Sequence, residues 1–77
     1  MQREEVVGSL KRLLAYCRSR VVRCADIELK HRKRAESATS PGTKLSMLES
    51  SKHNGELAKG WAVSAQAVHE AIKLIAR

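Results

Sequence analysis

Between residues 2 and 36 the chain has neither a proline nor a cluster of turn-forming residues. Its apolar side chains recur there at Val7, Leu10, Leu14, Cys17, Val21 and Cys24, in unbroken steps of three and four. Such spacing lines one face of an α-helix and excludes a strand, whose faces alternate every second residue. Val6, Leu13 and Ile27 widen the stripe on one side. Glu4 and Glu5 stand where the positive end of a helix dipole favours carboxylates. A helix over about 3–36 follows. Beyond Cys24 the same face continues as Glu28, His31 and Ala35, beside a basic run of Lys30, Arg32, Lys33 and Arg34. The last turns should therefore project past the main core or lie over a polar partner.

Residues 37–43, Ser-Ala-Thr-Ser-Pro-Gly-Thr, form the clearest loop. Ser40-Pro41 reads as an N-cap followed by a first-turn proline, while Ser46 and Glu49 offer a capping box as a second start. Further on, Leu57, Trp61, Ala65, Val68, Ile72 and Ile75 repeat the helical stripe. Leu45 and Leu48 project to the opposite side of it, and the turn-forming pair Asn54-Gly55 lies between the two sets. This phase change predicts a break near 54–55, with helices over about 43–53 and 56–76. The alternative, one continuous helix, would leave Leu45 and Leu48 to another subunit.

The fold expected is all-α: one domain over residues 1–77, an antiparallel hairpin with its second arm broken. Short connections favour antiparallel neighbours. A chain of 77 residues buries little on its own, and aromatics are confined to Tyr16 and Trp61. Disulfide help is unavailable within one helix, because Cys17 and Cys24 would sit roughly 10 Å apart along the axis. His31 extends the same spacing of seven, too wide for one helix to grip a metal ion, so no metal or cofactor is expected. The cysteines read as small buried apolar residues. A second subunit is left as stabiliser, and two hairpins would make a four-helix bundle. A homodimer is expected, with Val7, Leu10, Leu14, Cys17, Val21, Cys24, Leu57, Trp61, Val68, Ile72 and Ile75 supplying core and oligomer packing.

Charge is the main functional clue. Fifteen Lys and Arg against eight Asp and Glu give +7, unevenly placed: residues 1–34 hold ten basic and four acidic side chains, residues 35–77 five and four. Arg12, Arg18, Arg23, Lys30, Lys33 and Arg34 are the candidate contacts on the first helix, suited to an acidic protein or to nucleic-acid phosphates. Against nucleic acid, Glu5 and Asp26 interrupt the basic arc of the helix, no aromatic side chain lies in that arc to stack on bases, and no helix-turn-helix or zinc-finger spacing occurs. The histidines, His31, His53 and His69, form no constellation with carboxylates, and no glycine-rich phosphate loop is present. These features point to a non-catalytic assembly or adaptor protein without a small-molecule substrate, and secondarily to a nucleic-acid accessory factor. No apolar run approaches the ~18 residues that span a bilayer, and no leader is evident, so a cytoplasmic location is expected.

Overall fold

Three residues, Ala38, Thr39 and Ser40, separate two long helices in the computed structural model, which describes residues 2–77. Helix α1 spans Arg3–Ser37 and α2 spans Pro41–Ile75. Ser40 adopts an extended conformation and Pro41 opens α2, with the Lys44 amide donating to the Ser40 carbonyl at 3.0 Å. The proline's fixed φ and absent N–H suit a first helical position, so this start prevails over Ser46. The Ser37 hydroxyl lies within hydrogen-bond distance of the Lys33 and Arg34 carbonyls, the latter one of the groups that the end of α1 leaves open. The resulting antiparallel hairpin measures 58 × 15 × 14 Å.

The expected break at Asn54-Gly55 does not occur. The Asn54 side-chain amide donates to the Ser50 carbonyl at 2.9 Å, one turn back along its own helix, instead of closing a turn. Gly55 faces α1, where a Cβ would come within 3.1 Å of the Glu28 carboxylate. Its lack of a side chain makes room for an acidic neighbour. The inward face of α2 runs through Met47, Ser51, Asn54, Ala58, Trp61, Ala65, Val68, Ile72 and Ile75, in steps of four and three throughout. Apolar periodicity is lost at Ser51 and Asn54 while helical periodicity continues, so the phase change in the sequence was a change of polarity.

The opposite face of α1 shows the same transition at the same height. Val7 to Cys24 supply its apolar part and Glu28, His31 and Ala35 its continuation, with Ala35 fully covered. The end of α1 does not project beyond α2; it lies over the polar part of that helix. Ser51 is buried, and its hydroxyl donates to the Glu28 carbonyl at 3.0 Å. Sliding the helices would strand that hydroxyl and drive a side chain into the space beside Gly55.

Packing is thin. The fully covered apolar residues are Leu14, Cys17, Cys24 and Ala35. Both cysteines are free thiols within the seam, small enough to admit Trp61, which is level with Cys17. Leu57, expected in the seam, is 39% exposed and sits on its flank, displaced because Ala58 and Trp61 take the inward positions. Leu45 is 59% exposed and Leu48 is also open, as the continuous-helix alternative requires.

Leu14→Ala should therefore lower stability by about 2–5 kcal/mol, whereas Leu45→Ala should change it by less than about 0.5 kcal/mol. Urea unfolding followed by circular dichroism at one protein concentration checks both.

Candidate interaction surface

The seam divides the outer surface into two flanks and two backs, each with its own chemistry. On one flank, α1 presents Leu13, Tyr16, Arg20, Arg23, Lys30 and Arg34, beside Leu57, Gly60, Ser64 and Leu74 of α2. Tyr16 meets Trp61 edge to face at 5.6 Å between ring centroids, and the Arg20 guanidinium lies 5.9 Å from the Trp61 ring. An aromatic quadrupole favours both arrangements. The Arg20 Nε is buried without a hydrogen-bond partner, so the ring is its main compensation. Because Gly60 has no side chain, a shallow cleft opens between Leu57, Trp61 and Ser64, with Glu56 at its rim. No atom within 4 Å would oppose a Cβ at Gly60, so its smallness meets no need inside the chain.

On the other flank, Arg18 lines an open cleft with Val22, Ala62, Gln66 and His69, which continues along Lys11, Ala15 and Ile72. Alanines at 15, 62 and 65 leave this groove between the helix shoulders. Cations lie on both of its sides: Lys11, Arg18 and Arg32 from α1, and Lys52, Lys59 and Lys73 from α2.

All six candidate contacts, Arg12, Arg18, Arg23, Lys30, Lys33 and Arg34, are exposed, but they do not share one face. Arg23, Lys30 and Arg34 lie on the Tyr16 flank, Arg12 and Lys33 on the back of α1, and Arg18 alone on the far flank. Lys30 is paired with Asp26 at 3.0 Å, and Arg12 donates to Ser9 at 3.1 Å. Among the described residues, Arg23, Lys33 and Arg34 have no carboxylate within salt-bridge distance. The expected packing residues from Val7 to Cys24, and Trp61, Val68, Ile72 and Ile75, face the partner helix of their own chain. Of these only Leu14, Cys17 and Cys24 are buried; the others stay half-buried at the edges of the seam.

Two features escaped the reading of the sequence. Tyr16 and Trp61 do lie beside an arginine, Arg20, which the fold supplies from 41 residues' distance along the chain for Trp61 and one helical turn away for Tyr16. Separately, every carboxylate of α2 falls on a single outward line: Glu49, Glu56 and Glu70, seven or fourteen residues apart, with exposed Val63 between. That spacing was visible in the sequence and needed only the helix's inward face to orient it. Glu70 pairs loosely with Lys73 at 3.7 Å; among the described residues Glu49 and Glu56 have no cation within 4.0 Å.

The histidines are dispersed. His31 lies in the seam, with Nδ1 buried and unpartnered, His53 is exposed on the Tyr16 flank, and His69 lines the Arg18 cleft. Among the described residues no three His, Cys, Asp or Glu side chains converge as a metal site, and no helix is long and apolar enough to cross a membrane. Compared with protein-family models, curated proteins and solved structures, the chain matches none.

Arg20→Ala should cost about 1 kcal/mol through loss of its contact with Trp61. Lys33→Ala and Arg34→Ala should stay within about 0.5 kcal/mol of the parent. Thermal melts of the three variants at equal concentration compare them directly.

Proposed function

We propose that this chain is a non-catalytic helical assembly module that self-associates and presents the basic surface of α1 to an acidic protein partner. One observation carries the reading: the hairpin leaves far more surface open than a chain of its size normally does. It exposes 5723 Å², against about 4,700 Å² for a compact monomer of this mass. Among the described residues, nine large hydrophobic side chains are exposed, whereas four apolar residues are buried. A core so thin gives a small domain little margin, and association is the usual remedy where no disulfide bridges the chain.

The charge supports the second half of the reading. Helix α1 carries ten basic and five acidic side chains, and α2 four and three. Arg12, Lys33 and Arg34 point away from the seam, where a polyanionic surface would meet them without displacing an internal ion pair. The proximity of Tyr16, Trp61 and Arg20 gives a nucleic-acid role its one supporting observation, since aromatic faces stack on bases. Tyr16 and Trp61 are engaged with one another, however, which favours the protein-partner reading.

Sedimentation across a concentration series should show a monomer–dimer equilibrium, with a melting temperature that rises with concentration. A clean monomer melting at one temperature throughout would refute self-association. Titration with duplex DNA at low salt should show no binding. A complex whose log–log salt slope is about −0.9 per neutralised phosphate would establish the nucleic-acid role instead.

A further inference from the structure

Building on the self-association proposed above, we infer that a second copy of this chain docks on the Tyr16 flank. The two turns then lie at the same end, and α1 of each copy runs along α2 of the other. Four features select this occupant and this arrangement.

Area comes first. The hairpin exposes about 1,000 Å² more than a compact monomer of its mass, and a stable interface takes about 800 Å² from each partner. The Tyr16 flank has apolar groups to fill such an area, among them Leu13, Tyr16, Leu57 and Leu74, all exposed.

Charge comes second. On this flank α1 carries Arg20, Arg23, Lys30 and Arg34, of which Lys30 is already paired with Asp26, while the adjoining outer edge of α2 carries Glu49, Glu56 and Glu70. The contacts Ser51–Glu28 and Tyr16–Trp61 fix which residues of the two helices share a height. By those markers Arg23 is level with Glu56, and Lys30 with Glu49. A two-fold axis parallel to the helices preserves height. It therefore places Arg23 of each copy beside Glu56 of the other, and Lys30 beside Glu49. Among the described residues neither glutamate has a cation within 4.0 Å in its own chain; at the rim of the dimer Glu56 would gain Arg23, and Glu49 would share Lys30 with Asp26. The acidic surface that part of the basic helix recognises is then this chain's own α2.

Shape comes third. The cleft at Gly60 lies on the covered flank, at the height of the stretch between Tyr16 and Arg23 of the facing α1. A glycine in mid-helix costs about 1 kcal/mol against alanine, and nothing within the chain requires it. Close approach by a neighbouring helix accounts for it.

The alternatives supply the fourth. With the turns at opposite ends, α1 would face α1 of the other copy, and Arg20, Arg23 and Arg34, which have no carboxylate partner among the described residues, would meet their own copies. On the Arg18 flank, cations line both helices and outnumber the carboxylates that Glu4 and Glu28 bring to it, so a second copy would meet a net charge of its own sign. Both arrangements make every neighbouring pair of helices antiparallel, as in an up-down four-helix bundle, so charge and not helix direction separates them.

Three measurements on the full chain test the inference. In the first, a spin label on Thr39→Cys reports the distance between turns; Cys17 and Cys24, 2% and 1% exposed, are too covered to label readily, and unsubstituted protein serves as control. The expected distance is within about 25 Å, since neighbouring bundle axes lie about 8–10 Å apart. A dimer whose turns are separated by about the 58 Å length of the hairpin would overturn this arrangement and leave self-association standing. In the second, Arg23→Glu and Glu56→Arg should each weaken dimerisation about two- to fivefold, and the double variant should recover it. In the third, Gly60→Arg should weaken the dimer by on the order of tenfold or more while the helical content of the monomer is retained. Unchanged dimerisation in Gly60→Arg and in both single reversals would overturn the assigned face. A parent chain that stays monomeric at every concentration would overturn the functional reading along with it.

Discussion

A single cross-helix hydrogen bond, from the Ser51 hydroxyl to the Glu28 carbonyl, sets the height at which the two arms of this hairpin meet. Apolar seams of similar spacing can close in more than one register, because burial is non-directional and each turn offers a similar fit. A buried hydroxyl with one available acceptor distinguishes between those registers, since losing the acceptor costs about 1–3 kcal/mol. Gly55 reinforces the choice by leaving room for the Glu28 side chain, which in turn pairs with Arg32 at 2.7 Å. Everything above this layer, including the Tyr16–Trp61–Arg20 cluster and the position of the acidic line on α2, inherits its height from that contact.

How much of this was legible in the sequence depends on whether one helix or two were needed to see it. Val7 to Cys24 announced α1 and its inward face, because six apolar residues in steps of three and four leave no other reading. Ser40-Pro41 likewise gave the start of α2, for a reason local to the backbone. Asn54-Gly55 misled because both residues favour turns when nothing faces them. Here Glu28 faces Gly55, and Asn54 finds an acceptor on its own helix. No feature of residues 50–58 taken alone carries that information. The same limit hid the cation–aromatic cluster, assembled from both arms, and it led Leu57 to be taken for a seam residue when Ala58 occupies that place.

The candidate contacts are exposed cations that the fold distributes over more than one surface. A helix-wheel projection orders residues by angle, yet it does not say which part of the circle the partner helix covers. Once α2 is in place, Arg18 is separated from Arg23 and Lys30 by the seam. The hairpin thus has one flank that is basic on both helices and one that is basic on α1 and bordered by acid on α2. That asymmetry, together with a core of few fully covered residues, is the physical basis of the proposed assembly role.

Amide hydrogen exchange by NMR across residues 50–58 tests the continuous, polar-layered seam most directly. A helix held to α1 at Ser51 predicts slow exchange for Asn54, Gly55 and Glu56, comparable to that of Val68. Rapid exchange confined to those three amides, with protection on either side, would show two helices joined at a hinge and would contradict the account.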